Sequence, residues 1–334
     1  MASQPWRRAT SADVAREAGL SRATVSYVLN DAPHQKISDD ARRRVFEAAH
    51  RLGYAPSAAA RALRSGRSEL VLFLAPDWPI GTRLGSFLEL LSAALAERGL
   101  TFVVHPATSV RPIAAVWSAI TPAAVLTIGA PADADVAAMR AAGVVVAMAL
   151  LHRRDDPAAE RSMPEQRTGY LQAEHLATAG HRRLGYARPD DPRLLDLAGM
   201  RLKGVCDACT DLGLPEPDVL TVPLTSDGAA AAVRQWRGGG EPTTGVCAYN
   251  DEVALALLAG MRTVGVSAPG GLAVVGADDI PAAALAAPPL TTVASDMPAI
   301  ADYVARSIVC GLAGDDPPPR SEGDVVRMVV RESA

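Results

Sequence analysis

From Leu70 onward the chain alternates short apolar runs with longer helical stretches, and this alternation restricts the fold more than any other feature. The runs LVLFLAP, TFVVHP, AVLTIGA and GVVVAMA have strand length; between them lie SFLELLSAALAERG and helical segments near Ala114 and Ala134. A second series begins near Thr168, with a helix through LQAEHLATAGH, then RRLGYAR, the helix of GMRLKGVCDACTDLGL, LTVPL, and a helix near Ala230. It continues with GVCAYN, the helix VALALLAGMRTVG and LAVVGAD. Strand-helix-strand order of this kind gives parallel sheets with helices on both faces. The expected body is a pair of doubly wound α/β lobes. Ligands of such folds bind beyond the carboxyl ends of the strands, so two facing lobes make a cleft.

The first 68 residues have a different character. They hold twelve Arg/Lys against six Asp/Glu, whereas the remainder holds 21 against 31. Clustered basic side chains gain by releasing counterions from a polyanion, although charge alone fits a solvated basic surface equally well. Ser11 to Asn30 reads SADVAREAGLSRATVSYVLN. Val14, Ala15 and Ala18 form one apolar stripe, Gly19 allows a left-handed turn, and Ser21 is placed to cap a second helix carrying Val25, Val28 and Leu29. A small residue, a glycine and an aliphatic residue at Ala15, Gly19 and Val25 have the spacing of a DNA-binding helix-turn-helix, which an inert helical hairpin could share. A third helix is expected from about Ser38 to Leu52, with Ala41, Val45, Ala48, Ala49 and Leu52 facing inward. Ser57 can cap a short further helix, AAARALRS, before Gly66. At about two turns, that helix is too short to persist alone in water.

Several function classes are excluded. Met1 to Thr10 has no apolar stretch of signal-peptide length, and no apolar run approaches the length that spans a bilayer, which predicts a cytoplasmic chain without a membrane partner. There is no G-x-S-x-G, Walker loop, H-E-x-x-H or G-x-G-x-x-G after a strand, so no catalytic residues, cofactor or metal are assigned. Cys206 and Cys209 form a CxxC inside a helical stretch with no second Cys or His pair nearby, which favours buried structural cysteines over a zinc or redox site.

The segments DVAREAG, SRATVSYVLN and LGY.P...AR.LRSG, followed by HLATAGHRRLGY, RLKGV, AYNDEVALALLAG, VVGADDI, PPLTTV and VVRES, resemble the lactose-repressor/galactose-repressor family of bacterial transcription regulators in order and spacing. The resemblance covers nearly the whole chain. It implies a helix-turn-helix head at residues 1–55, a hinge helix and linker at 56–68, and a periplasmic-binding-protein-like body at 69–334. The N-lobe would take about 69–163 and 294–324, and the C-lobe about 164–293 and 325–334. Implied partners are double-stranded operator DNA, a second copy of the chain in a homodimer, and a small-molecule effector, a sugar or other polar metabolite. Implied DNA contacts are Ser21, Arg22, Ala23, Thr24, Tyr27, Asn30, Tyr54, Arg61 and Leu63. Arg22 can bond a guanine edge bidentately, Ala23 can touch a thymine methyl, and Leu63 would wedge into the minor groove. Arg7, Arg8, Arg42, Arg43, Arg44, Arg61 and Arg64 read as phosphate contacts or solvated charge. The implied effector residues are Arg201 of RLKG, Asp251 of YNDE and Trp78 after the first body strand. Asp251 could instead cap the following helix, and Trp78 could pack between the lobes.

Three departures stand out. Tyr27 replaces an arginine common in the family. Trp78-Pro79-Ile80-Gly81-Thr82 stands where Asn-Pro-Phe-Phe is common, and Pro164-Glu165 replaces the usual Asp-Asn, so residues that normally bind hydroxyls are missing. Aromatics number only 14 of 334, few for the stacking platforms of a sugar site. If Leu63 is a wedge, Leu63→Ala weakens specific binding and reduces operator bending while leaving non-specific, salt-dependent binding almost intact; a gel-based bending assay measures both.

Overall fold

The computed structural model describes residues 9–29, 37–54, 68–106, 116–117, 120–129, 131–150, 164–238, 240–319 and 325–334. The chain divides into two compact units, Met1–Glu69 and Leu70–Ala334.

In the first unit, α1 (Ser11–Ala18) is opened by a capping box: the Thr10 amide donates to the Asp13 carboxylate at 3.0 Å, and the Asp13 amide donates back to Thr10 Oγ1. Gly19 closes the helix at φ 63°, where a side chain would be strained and would also meet Arg44 Nη2 at 2.8 Å. Ser21 Oγ then accepts from the Thr24 amide at 3.0 Å and starts α2 (Arg22–Leu29). The third helix, α3 (Asp39–Arg51), is capped by Ser38. Val14, Ala15, Ala18, Val25, Val28, Val45, Ala48 and Ala49 form its shared core with α1 and α2. Leu52, expected inside, is 36% exposed because it lies past the helix end. Arg44 serves the fold of the head, since its Nη2 donates to the Ala18 carbonyl at 2.6 Å and satisfies the end of α1.

The second unit holds two sheets within its described residues. The N-lobe sheet, ordered β2-β1-β3-β4, is parallel throughout and comprises β1 (Leu70–Ala75), β2 (Thr101–Pro106), β3 (Ala124–Thr127) and β4 (Val146–Ala149). It is flanked by α4 (Thr82–Ala96) and α5 (Asp133–Ala141). The C-lobe elements follow as α6 (Pro164–Thr178), β5 (Leu184–Pro189), α7 (Leu195–Asp211), β6 (Asp218–Val222), α8 (Ser226–Arg237), β7 (Gly245–Ala248), α9 (Asp251–Thr263), β8 (Ala273–Ala277), α10 (Pro281–Leu285) and β9 (Thr291–Ser295). Their sheet is ordered β10-β9-β8-β7-β5-β6, with only β10 (Val326–Val329) antiparallel to its neighbour. Between β9 and β10 the chain returns to the N-lobe as α11 (Met297–Ala313), whose Ala301, Val304, Ala305 and Ile308 join the core of β1, β3 and α4. The terminal VVRES stretch fastens β8 to β9: Ser333 Oγ donates to the Val274 carbonyl at 2.6 Å and accepts from the Thr291 amide at 2.8 Å.

One helix crossing positions the cleft. A Cβ added to Gly169 of α6 would lie 1.9 Å from the Arg201 carbonyl oxygen of α7, and one added to Gly204 of α7 would lie 1.9 Å from the Gln166 carbonyl oxygen of α6. The backbones therefore touch, and only hydrogen fits at either position. Gly204→Ala should destabilise the body by about 1 to 3 kcal/mol through overpacking, seen as a lower urea midpoint for the body transition.

Candidate functional site

The head presents a compact outward face. On α2, Val25 and Val28 point into the core, leaving Arg22 and Ala23 exposed and Tyr27 40% exposed. Ser21 and Thr24 are partly committed to each other, their hydroxyls 2.9 Å apart at the start of the helix. Tyr54 packs against the head core and is only partly buried. Asn30, Arg61 and Leu63 lie outside the described residues, as do Arg7, Arg8 and Arg64. Arg43 pairs with Asp40 on the surface, and Arg51 bonds Glu17 at 3.1 Å, tying α3 to α1.

In the body, the carboxyl ends of β1, β5, β7 and β8 converge on a cavity of about 1850 Å³. This exceeds the few hundred cubic ångströms a small ligand fills, because the cavity extends along α11. Its polar floor is a quartet of charges. Arg201, 1% exposed, donates from Nε to Glu165 at 2.7 Å, from Nη2 to Asp278 at 2.8 Å and from Nη1 to the Tyr249 carbonyl. Its guanidinium lies 5.0 Å from the Tyr249 ring centroid, so that aromatic face is already covered. Arg83, from α4 of the opposite lobe, reaches Glu165 at 2.7 Å and Asp278 at 3.5 Å.

Two cations and two carboxylates cancel, which is what lets them be buried together. Burial alone would raise the Glu165 carboxyl, but the Arg83 and Arg201 guanidiniums outweigh it and hold it down at about 2. Asp278 is placed by an unusual backbone, φ 104°, followed by Asp279 at φ 51°. Arg331 anchors the latter at 2.6 Å. A backbone this strained persists because its surroundings over-determine it.

Of the residues the resemblance assigned to the effector, Arg201 and Trp78 line the cavity. Trp78 leaves the end of β1 but packs against the core of the C-lobe, so it contacts both lobes. Asp251 does not line the cavity, which corrects the expectation that it faces the cleft. Its side chain is fully buried, accepting from Thr292 Oγ1 at 2.6 Å and the Ile280 amide at 2.8 Å, so it joins the ends of β8 and β9 beneath the floor. Nor does it cap α9; Asn250 does so, its Oδ1 accepting from the Val253 amide at 3.0 Å. Asn250 and Glu252, its neighbours, face the cavity instead. Arg83 and Asp278 were not singled out from the sequence, and Glu165 was noted only as a departure. No motif links positions so far apart, although the ADDI segment held Asp278 in plain view.

Cys206 and Cys209 are both free thiols on α7. Burial pushes the Cys209 thiol up to about 11, which disfavours thiolate chemistry. No group of His, Cys, Asp and Glu able to hold a metal ion occurs among the described residues. No helix among them is long and apolar enough to cross a membrane.

Residues 10–57 match bacterial regulatory proteins of the lacI family, and residues 173–334 match a periplasmic binding protein-like domain. The chain thus joins a segment similar to lacI-family regulatory proteins to a body similar to periplasmic binding proteins. The chain is 29% identical over 329 residues to the HTH-type transcriptional regulator GalR of Salmonella typhimurium, covering 93% of this chain and 91% of that one. In fold it is similar to the lac repressor dimer bound to operator and the anti-inducer ONPF, with TM-score 0.76, 21% identity, and 98% and 99% of the two chains covered. It is also similar to the transcriptional regulator CelR in complex with cellobiose, with TM-score 0.64, 26% identity, and 98% and 100% covered. The relatives named are transcription regulators.

The buried Asp251 makes a pH prediction for this regulator. Burial pushes its carboxyl up to about 7, against the bonds from Thr292 and Ile280. A carboxyl raised in the fold binds a proton that the unfolded chain releases near pH 4, so its contribution is fully present below about pH 4 and is lost as pH rises to about 7. Urea unfolding across that range should show a shallower loss of stability with rising pH in Asp251→Asn than in the wild type.

Proposed function

We propose that this chain is a repressor that binds a pseudo-palindromic operator as a homodimer, in the cytoplasm at the nucleoid, and that a small polar metabolite in the interlobe cleft shifts its DNA affinity. The observation that carries the DNA reading is the outward face of α2, where Arg22, Ala23 and Tyr27 stand together on a head whose opposite face is fully used by its own core. Ser21, Thr24, Asn30, Tyr54, Arg61 and Leu63 complete the proposed contact set. One helix-turn-helix reads one half-site, so two copies are needed for a palindrome, and the lac repressor dimer on operator supports that arrangement.

Cellobiose bound to CelR supports a carbohydrate or similarly polar effector, with Trp78 and Arg201 as the proposed contacts. Control requires that the effector bind two lobe arrangements with different affinity. Direct base reading and phosphate contact separate experimentally. Arg22→Ala should cost about 1 to 3 kcal/mol on the specific site and relax selectivity at one base pair, with little change on random DNA. Fluorescence anisotropy on operator and scrambled duplexes measures this, and equal loss on both would make Arg22 a phosphate contact. Affinity should also fall steeply with salt, because each phosphate contact releases counterions.

A further inference from the structure

Two of the family departures, the segment Trp78–Thr82 and the pair Pro164-Glu165, are linked across the cleft by Arg83. Arg83 follows the first segment directly, and both of its described ion-pair partners, Glu165 and Asp278, belong to the opposite lobe. Two further contacts cross nearby: Arg193 to Asp77 at 3.5 Å, and Glu252 Oε1, which lies 3.7 Å from where a Cβ on Gly81 would sit, at the start of α4. The Arg193 pair is solvent-exposed and contributes little. The Arg83 pair is different, because Glu165 is 4% exposed and Arg83 is 21% exposed, with Arg201 fully buried behind them. Removing one member leaves the buried group with one uncompensated charge, so the members hold their positions together.

We propose that Arg83 and Glu165 form a latch that keeps the lobes closed with no effector bound. Glu165 fills the place on Arg201 that the resemblance gives to the effector, and Arg83 ties that carboxylate to the opposite lobe. An effector that takes the place of Glu165 on Arg201 must replace two charge-assisted hydrogen bonds, those of Glu165 to Arg201 and to Arg83. Lobe closure in this chain is therefore the resting state, and binding in the cleft opens or reshapes it. This inference rests on the cleft being the regulatory site, but lobe closure can be measured without DNA or effector, so it fails or stands separately from operator binding.

Trp78 is the reporter, since it leaves one lobe and packs on the other. Trp117 and Trp236 are 2% and 1% exposed, so in a full-length Trp6→Phe background acrylamide quenching follows Trp78. The wild-type lobes should shield it. Arg83→Met and Glu165→Gln should each raise the quenching constant about twofold, and the double variant should go no further, as expected of two members of one unit. Arg83→Lys, which keeps the charge, should stay near the wild type; this rescue distinguishes a charge latch from simple packing of the arginine stem. If Arg83→Met fails to fold, the isosteric Glu165→Gln decides alone. Wild-type quenching in Glu165→Gln, additive effects in the double variant, or quenching in Arg83→Lys equal to that in Arg83→Met would each overturn the latch.

Discussion

The closest helix contact in the body, the crossing of α6 over α7, is the constraint on which the cleft depends. Glycines at 169 and 204 let each backbone fill the space a side chain would take on the other. That approach sets Glu165, one turn before Gly169, beside Arg201, one turn before Gly204, so the carboxylate and guanidinium meet at 2.7 Å. A methyl group at either glycine would push the helices apart and separate the charges by the same displacement. The polar floor is thus a consequence of backbone packing, and its geometry is as stiff as the core beneath it.

Charge neutrality then decides what the cleft can hold. Arg201 uses its described donors on Glu165, Asp278 and the Tyr249 carbonyl, and Arg83 closes the circuit from the opposite lobe. A buried quartet of this kind contributes little net stability, since desolvation offsets most of the Coulombic gain, but it fixes one arrangement against all those that leave a charge unpaired. Such a specificity device suits the proposed control by which lobe arrangement is populated. Asp251 plays the complementary part below the floor, joining strand ends through Thr292 and Ile280 so that the wall carrying Asn250 and Glu252 keeps its shape.

The head follows a simpler logic. Its core is small and built from valine and alanine, and much of its definition comes from termini: the Thr10–Asp13 box, the left-handed Gly19, the Ser21 cap and the Arg44 bond to the end of α1. With the apolar side of α2 consumed by that core, the opposite side is free to be a reading surface. The arginines divide accordingly between those that hold the head together, Arg44 and Arg51, and Arg22, which stands on the outward face.

The sequence by itself determined what is local. The capping residues, the turn at Gly19 and the apolar stripes specified the head, and the strand-helix alternation specified two parallel-sheet lobes, because periodicity and turn chemistry act over a few residues. The family resemblance, and not periodicity, placed Arg201 and Trp78 at the cleft, through motifs whose position after a strand or on a helix is set by the fold. It failed for Asp251, since whether a residue at the start of a helix turns toward the cavity or beneath it depends on the strands arriving from positions 276 to 292. It also gave no sign that Arg83 and Glu165 meet. Eighty-two residues separate them, and only the stacking of one lobe against the other, with α6 pressed onto α7, brings opposite charges of that separation within bonding distance.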